Sequence, residues 1–189
     1  FVPYKKGEGL YFGEFNADKE DEIELGLIRQ AQPFKSFIST SRENVLRPAD
    51  KRSGPVIVAG VKGCDLQSLI LQDHVFLEGD FKDPFYAKKR EDTIIISHDC
   101  TSAKETCFCM AMAGMPFPQK DFDMNLSPVD GHILVEIGSE KGRAMVSGYK
   151  TFFKSAEGRD MKARDALRAK VSEELAGFIS KRGTPKTTE

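Results

Sequence analysis

All four cysteines of this 189-residue chain lie between residues 60 and 110. Cys64 stands in Gly60-Val-Lys-Gly-Cys-Asp-Leu66, Cys100 in Ser97-His-Asp-Cys100, and Cys107 and Cys109 in Cys107-Phe-Cys109. A thiolate is both a strong nucleophile and a soft metal ligand. Four cysteines confined to one stretch make a poor disulfide scaffold for a chain of this size, because they leave both ends unstapled. No apolar leader-like segment is present, so we expect a reducing, cytoplasmic compartment, where clustered cysteines point to metal or redox chemistry.

Two centres take four thiolates. A structural zinc draws them onto one tetrahedral ion, and its sites usually use Cys-x-x-Cys knuckles, which this chain lacks. An iron–sulfur cluster spreads them over the corners of a bulkier core, which Cys-x-Cys plus two isolated cysteines can reach. Two plainer readings stand beside these. Cys107 and Cys109 could form a thiol–disulfide relay, although Cys-x-Cys closes a strained ring. Alternatively, the thiols simply fill the core.

Distant cysteines meet only if the intervening elements bring them together. Residues 55–59, Pro-Val-Ile-Val-Ala, and residues 93–97, Thr-Ile-Ile-Ile-Ser, read as strands buried on both faces. Between them, Leu66, Leu69, Ile70 and Leu77 mark one face of a helix that Asp65 would cap, and Asp83-Pro84 opens a second, short helix. This is a βαβ unit, so the strands should be parallel neighbours. Loops at the carboxyl ends of adjacent parallel strands lie close together and commonly bind ligands. Cys64 follows one such strand and Cys100 the other.

The flanks read as support. Residues 4–15 form a β-hairpin turning at Lys6-Gly-Glu-Gly9, with Tyr11 and Phe15 at even spacing, and the acidic residues 16–24 make a solvated loop or short helix. Phe34, Phe37, Ile38, Val45 and Leu46 form an apolar ledge before a charged, turn-rich connection over residues 47–54. Asp130-Gly131 signals a hairpin between residues 122–126 and 132–137, and residues 138–142 a tight loop. Leu167, Val171, Leu175, Phe178 and Ile179 lie along an amphipathic helix over residues 161–181, which Gly183 and Pro185 stop. The predicted class is α/β, with a mostly parallel central sheet, an N-terminal β-hairpin, a later antiparallel hairpin and a C-terminal amphipathic helix. Residues 1–182 should form one domain and residues 183–189 a tail or linker. The opening Phe1-Val-Pro, without an initiator Met, suggests a piece of a longer polypeptide.

Composition narrows the function. Hydrophobic residues make up 40% and charged residues 30%, as in soluble globular proteins. A net charge of -1 argues against a broad nucleic-acid surface. No apolar run is long enough to span a membrane. Neither a Ser/His/Asp arrangement nor a Gly-x-Gly-x-x-Gly fingerprint is present, which disfavours an autonomous hydrolase or nucleotide-dependent dehydrogenase.

Several motifs, taken in order, resemble those of a known family. The Cys64 segment resembles the Gly-Val-Arg-Pro-Cys-Asp-Leu motif of sulfhydrogenase β subunits and of related iron–sulfur subunits. The latter stand near those of anaerobic sulfite reductase and of heterodisulfide-reductase-type complexes. Asp83-Pro-Phe-Tyr-Ala-Lys-Lys-Arg-Glu91 is similar to that family's Asp-Pro-Tyr-Tyr-x-x-Arg-Arg-Glu, and Cys100 with Cys107-Phe-Cys109 to its Asn-Cys…Cys-Phe-Cys block. Val135-Glu-Ile-Gly-Ser-Glu-Lys-Gly142 resembles its Val-Glu-x-Gly-Ser-Glu-Lys-Gly, and Gln32-Pro-Phe-Lys35 to Arg42-Glu-Asn-Val-Leu46 its Pro-Pro-Lys…Arg-Glu block. The likeness implies an electron-transfer component of a hydrogenase- or heterodisulfide-reductase-like oxidoreductase complex from anaerobic metabolism. Together with the cysteine layout it suggests one [4Fe–4S] cluster on Cys64, Cys100, Cys107 and Cys109, with zinc as the alternative. The partners would be other redox subunits, including a ferredoxin-like iron–sulfur domain or protein. Two departures stand out: Lys62-Gly63 replaces Arg-Pro, and the family's two-cluster ferredoxin-like domain does not follow within these 189 residues.

Beside the cysteines, Lys62 and His98 are candidates for contact with the cofactor. Lys62, Lys88, Lys89 and Arg90 would gather positive charge there and raise a cluster's potential. His98 could ligate or tune by hydrogen bonding, although a strand-end histidine usually does neither. Met110, Met112 and Met115 should pack over the centre, and residues 138–142 could weakly cradle a phosphate.

Overall fold

The computed structural model describes residues 1–28, 30–39 and 54–182. Val45, Leu46, most of the charged connection and the helix stop at Gly183 and Pro185 lie outside the described residues. The chain opens with an antiparallel hairpin, β1 (Val2–Lys6) and β2 (Gly9–Gly13), turning at Gly7 with φ +60°. Leu10 and Phe12 point inward, whereas Tyr11 and Phe15 are exposed. A 3-10 helix over Ala17–Glu22 carries the acidic run, and another over Phe34–Phe37 begins the ledge that buries Phe34 and Ile38.

The central sheet is four-stranded, in the order β3 (Val56–Val61), β4 (Thr93–His98), β5 (Met124–Val129), β6 (His132–Ile137). The first three strands are parallel, and β6 returns antiparallel through Asp130-Gly131, both with positive φ. Between β3 and β4 run α1 (Gly63–Leu77) and α2 (Pro84–Asp92), as the βαβ pattern predicts. The Asp83 carboxylate caps α2 by accepting from the Phe85 and Tyr86 amides at 2.9 and 3.0 Å. Asp65 is not the residue that caps α1. Lys62 holds that place, and Asp65 sits inside the first turn, its carboxylate taking backbone hydrogen bonds at Lys62 and Phe34. That reach back to the cap residue is one half of a capping box.

Residues 138–142, expected as a tight loop, instead start a helix, α3 (Glu140–Gly148), capped by Ser139. The Ser139 hydroxyl accepts from the Gly142 amide and donates to Asp123. A side chain at Gly142 would run into the Asp123 carbonyl, so this glycine serves close helix–strand packing. The Gly138 amide also donates to that carbonyl. These contacts dock the segment against Asp123, the residue before β5.

The long C-terminal helix, α4 (Gly158–Arg182), packs on β5, β6 and the 3-10 turn Cys109–Met112, burying Val171 and Leu175. The main core joins Phe12, Phe34, Val58, Leu66, Leu69, Tyr86, Ile95 and Phe122. Among the described residues, no helix is long and apolar enough to cross a membrane.

Candidate metal centre

The carboxyl ends of β3 and β4 deliver the first two cysteines to one rim. β3 breaks register between Ala59 and Val61, and Gly60 (φ +82°) absorbs the bulge. A side chain at Gly60 would strike Pro3, so only glycine lets the backbone bend here. The chain then enters α1, whose second residue is Cys64. A helix N-terminus favours a thiolate.

Cys100 leaves β4 one residue after Asp99, and its amide donates to the Pro116 carbonyl at 3.0 Å. The loop beyond it folds back on itself. The Lys104 amide points at the Cys107 sulfur, 3.4 Å away, while the Cys107 amide donates to the Lys104 carbonyl. Cys109 begins its 3-10 turn, closed by Ala113 in the left-handed region and by the Gly114 amide on the Cys109 carbonyl. The next segment crosses in front of α1, with the Met115 and Phe117 carbonyls packed against Gly63.

The thiols are electrostatically linked in a chain rather than all to one another. Cys64 feels the charge of Cys100 and Cys109; Cys100 feels Cys109 and Cys107; Cys109 feels Cys107. Burial pushes the Cys100 thiol up to about 12, with Lys62 pulling the other way and the neighbouring thiols adding to the rise. Cys64 is also pushed up to about 12, by burial and then by Asp65, but its side chain is exposed at the surface. Burial also raises Cys109. Crowded thiols of this kind stay protonated unless a cation neutralises them, and a coordinated metal does so outright. Among the described residues, no three His, Cys, Asp or Glu side chains are disposed to hold a single metal ion. A single zinc needs sulfurs drawn to within about 2.3 Å of one point, whereas a cluster spaces its ligands more widely. Four cysteines are the donor types a four-thiolate cluster takes, and Cys64 is the most exposed of them.

Lys62 is 1% exposed. Its ammonium donates to the Leu25 carbonyl at 2.6 Å, and among the described residues no carboxylate bonds to it. Burial lowers Lys62 to about 8, while Cys100, Cys64, Asp99 and Asp65 favour its charge. A buried cation beside Cys64 and Cys100 is costly unless the groups it faces carry negative charge. His98 is buried too, and its Nδ1–H donates to the Asp99 carbonyl at 2.6 Å rather than to a thiol. Burial, then the Lys62 charge, holds His98 down to about 4, so the ring is neutral.

The other basic residues expected here lie elsewhere in the fold. α2 leads into the amino end of β4, opposite the cysteines. There Lys88 pairs with Asp92 at 2.8 Å, Arg90 pairs with Asp73 at 3.3 Å, and Lys89 belongs to the same helix. The methionine cover is also partial: Met112 is 65% exposed, and Met110 and Met115 are half-buried.

A polar network behind Cys100 has no counterpart in the sequence-level expectations. Asp99 is 1% exposed and accepts from Asn125 at 2.9 Å and Ser127 at 2.7 Å. Arg168 of α4 grips both of its oxygens, at 2.8 and 3.2 Å. Ser97 donates to Asn125 at 2.9 Å, and Glu136 meets Arg168 at 3.4 Å. Burial pulls the Arg168 charge down, but Asp99, helped by Glu136, more than offsets it. One signal was readable: Arg168, Val171 and Leu175 recur at 3 and 7 residues, which puts an arginine on the apolar stripe of the helix. Compared with known proteins, the chain matches no family model, no curated protein and no solved structure.

Proposed function

We propose that Cys64, Cys100, Cys107 and Cys109 hold one [4Fe–4S] cluster and that the protein relays single electrons through it within a multi-subunit oxidoreductase. The observation that carries this reading is the buried Lys62 ammonium, without a carboxylate hydrogen-bond partner among the described residues, close to Cys64 and Cys100. The family assignment rests on the motif likeness alone.

When bound, the cluster would supply a one-electron couple. The chain's own residues set its surroundings. Lys62 offsets the negative charge of the thiolates and favours the reduced state. The Lys104 amide lends a hydrogen bond to the Cys107 sulfur. Neutral His98 braces the backbone before Cys100. Phe108, 61% exposed between two ligands, puts an edge of the centre next to solvent, where a redox partner could approach. Electrons would pass between a ferredoxin-like domain or protein and another redox component of the complex, and substrate chemistry would occur elsewhere in the assembly.

Protein purified without air should be brown, carry iron and acid-labile sulfide in equal amounts, and bleach with dithionite. A colourless protein with stoichiometric zinc would instead establish a structural module with no redox role. If Cys109→Ser keeps full cluster content, the four-ligand assignment fails.

A further inference from the structure

We propose that Arg168 is a positioning residue for this centre: from α4 it fixes the spacing between the Cys64 arm and the Cys100 arm. The inference rests on the cluster reading above and adds a residue that no cysteine motif identifies.

One guanidinium touches both arms. Its fork holds the two oxygens of Asp99, the residue joined to Cys100. Its face lies over the Phe117 ring, 4.5 Å from the centroid. Phe117 belongs to the segment whose carbonyls press on Gly63, the residue before Cys64, and whose Pro116 carbonyl accepts from the Cys100 amide. Farther along the same helix, Glu174 accepts from the Ala103 amide at 3.1 Å, inside the loop that leads from Cys100 to Cys107. α4 also packs on the turn that carries Cys109.

A buried ion pair is a weak device for stability, because desolvating both charges offsets most of their attraction. What it does well is fix geometry. The planar fork of arginine admits one orientation of a carboxylate, and lysine does not reproduce it. Asp99 is already held on its other sides by Asn125 and Ser127, so Arg168 closes a fully bonded shell one residue from a ligand. Outer-shell partners of this kind orient ligands and tune the centre they surround.

The test uses the full chain, purified without air. Its readouts are iron retained against a chelator, the electron paramagnetic resonance spectrum of the reduced protein, and circular dichroism as the check on folding. R168M should keep the wild-type dichroism, retain about tenfold less iron, and show a broadened resonance. R168K should fall between R168M and wild type. D99N/R168M should be no worse than R168M, because the pair acts as one unit. E136Q removes only the charge of the second Arg168 partner and keeps an oxygen that can accept from it, so it should match wild type. Wild-type retention and spectrum in R168M, or changes in E136Q as large as those in R168M, would overturn this inference alone. Should R168M fail to fold, R168K decides, and an unchanged R168K overturns it. A wild-type chain that binds no iron overturns the cluster reading and this role with it.

Discussion

Along β4, the side chains of Thr93, Ile95 and Ser97 share one face, and all three are buried, but what buries them changes along the strand. Ile95 packs into the apolar core with Leu66, Leu69, Tyr86 and Val58. Ser97, two residues on, bonds to Asn125, and Asp99 beyond it bonds to Asn125, Ser127 and Arg168. The first region is held by non-directional burial, which tolerates small adjustments and supplies most of the stability. The second is held by directional bonds between desolvated groups, which contribute little net stability but allow one arrangement. Cys100 hangs from the second region, whereas Cys64 stands on α1, whose Leu66 and Leu69 belong to the first. The contrast separates what keeps the chain folded from what fixes the geometry of the site.

Four substitutions test that separation, in order of decreasing effect. Cys100→Ser should remove the cluster altogether, with iron falling to background while the dichroism of the fold persists. Retention of the brown chromophore would place the centre elsewhere. Leu69→Ala, at a position fully shielded from solvent, should lower the unfolding free energy by about 2–5 kcal/mol in a denaturant titration. The reduced-state resonance of its folded fraction should match wild type; a changed resonance would mean that the two regions are coupled. Asn125→Ala should reverse the emphasis. Its stability loss should be about 1–3 kcal/mol, from leaving buried partners unsatisfied, but its resonance should shift because Asp99 loses a brace. An unshifted spectrum would reduce the polar network to a packing role. Asp83→Ala should cost about 1 kcal/mol through the lost α2 cap and leave iron content unchanged. Measurable iron loss there would contradict the assignment of α2 to the far end of β4.

Much of the scaffold was legible because its signals are local. Alternation, glycine and Asx turns, and the Asp83-Pro84 start fix the hairpins and the βαβ unit within a few residues of chain. The same signals misled where local chemistry was ambiguous. Ser139 opens a helix although the two glycines around it suggested a loop. Asp65 looked like a cap but works three residues inside the helix as the returning half of one. Lys88 and Arg90 seemed close to the site because they lie between Cys64 and Cys100 in sequence, yet the crossover carries α2 to the opposite end of the strand. The Asp99–Arg168 pair spans 69 residues, and no periodicity at either end announces the other.

The amino-acid sequence by itself determined the clustering of four cysteines in one stretch and the parallel crossover that brings Cys64 and Cys100 to one rim. Residue type and short-range pattern are sufficient for both. Tertiary structure alone decided that Lys62 is buried near Cys64 and Cys100, that Cys64 is exposed, and that α4 supplies the arginine bonded to Asp99. The physical reason is that burial and ion pairing depend on which surfaces meet in space, and the long loops between those surfaces leave that meeting unspecified until the sheet and α4 have packed.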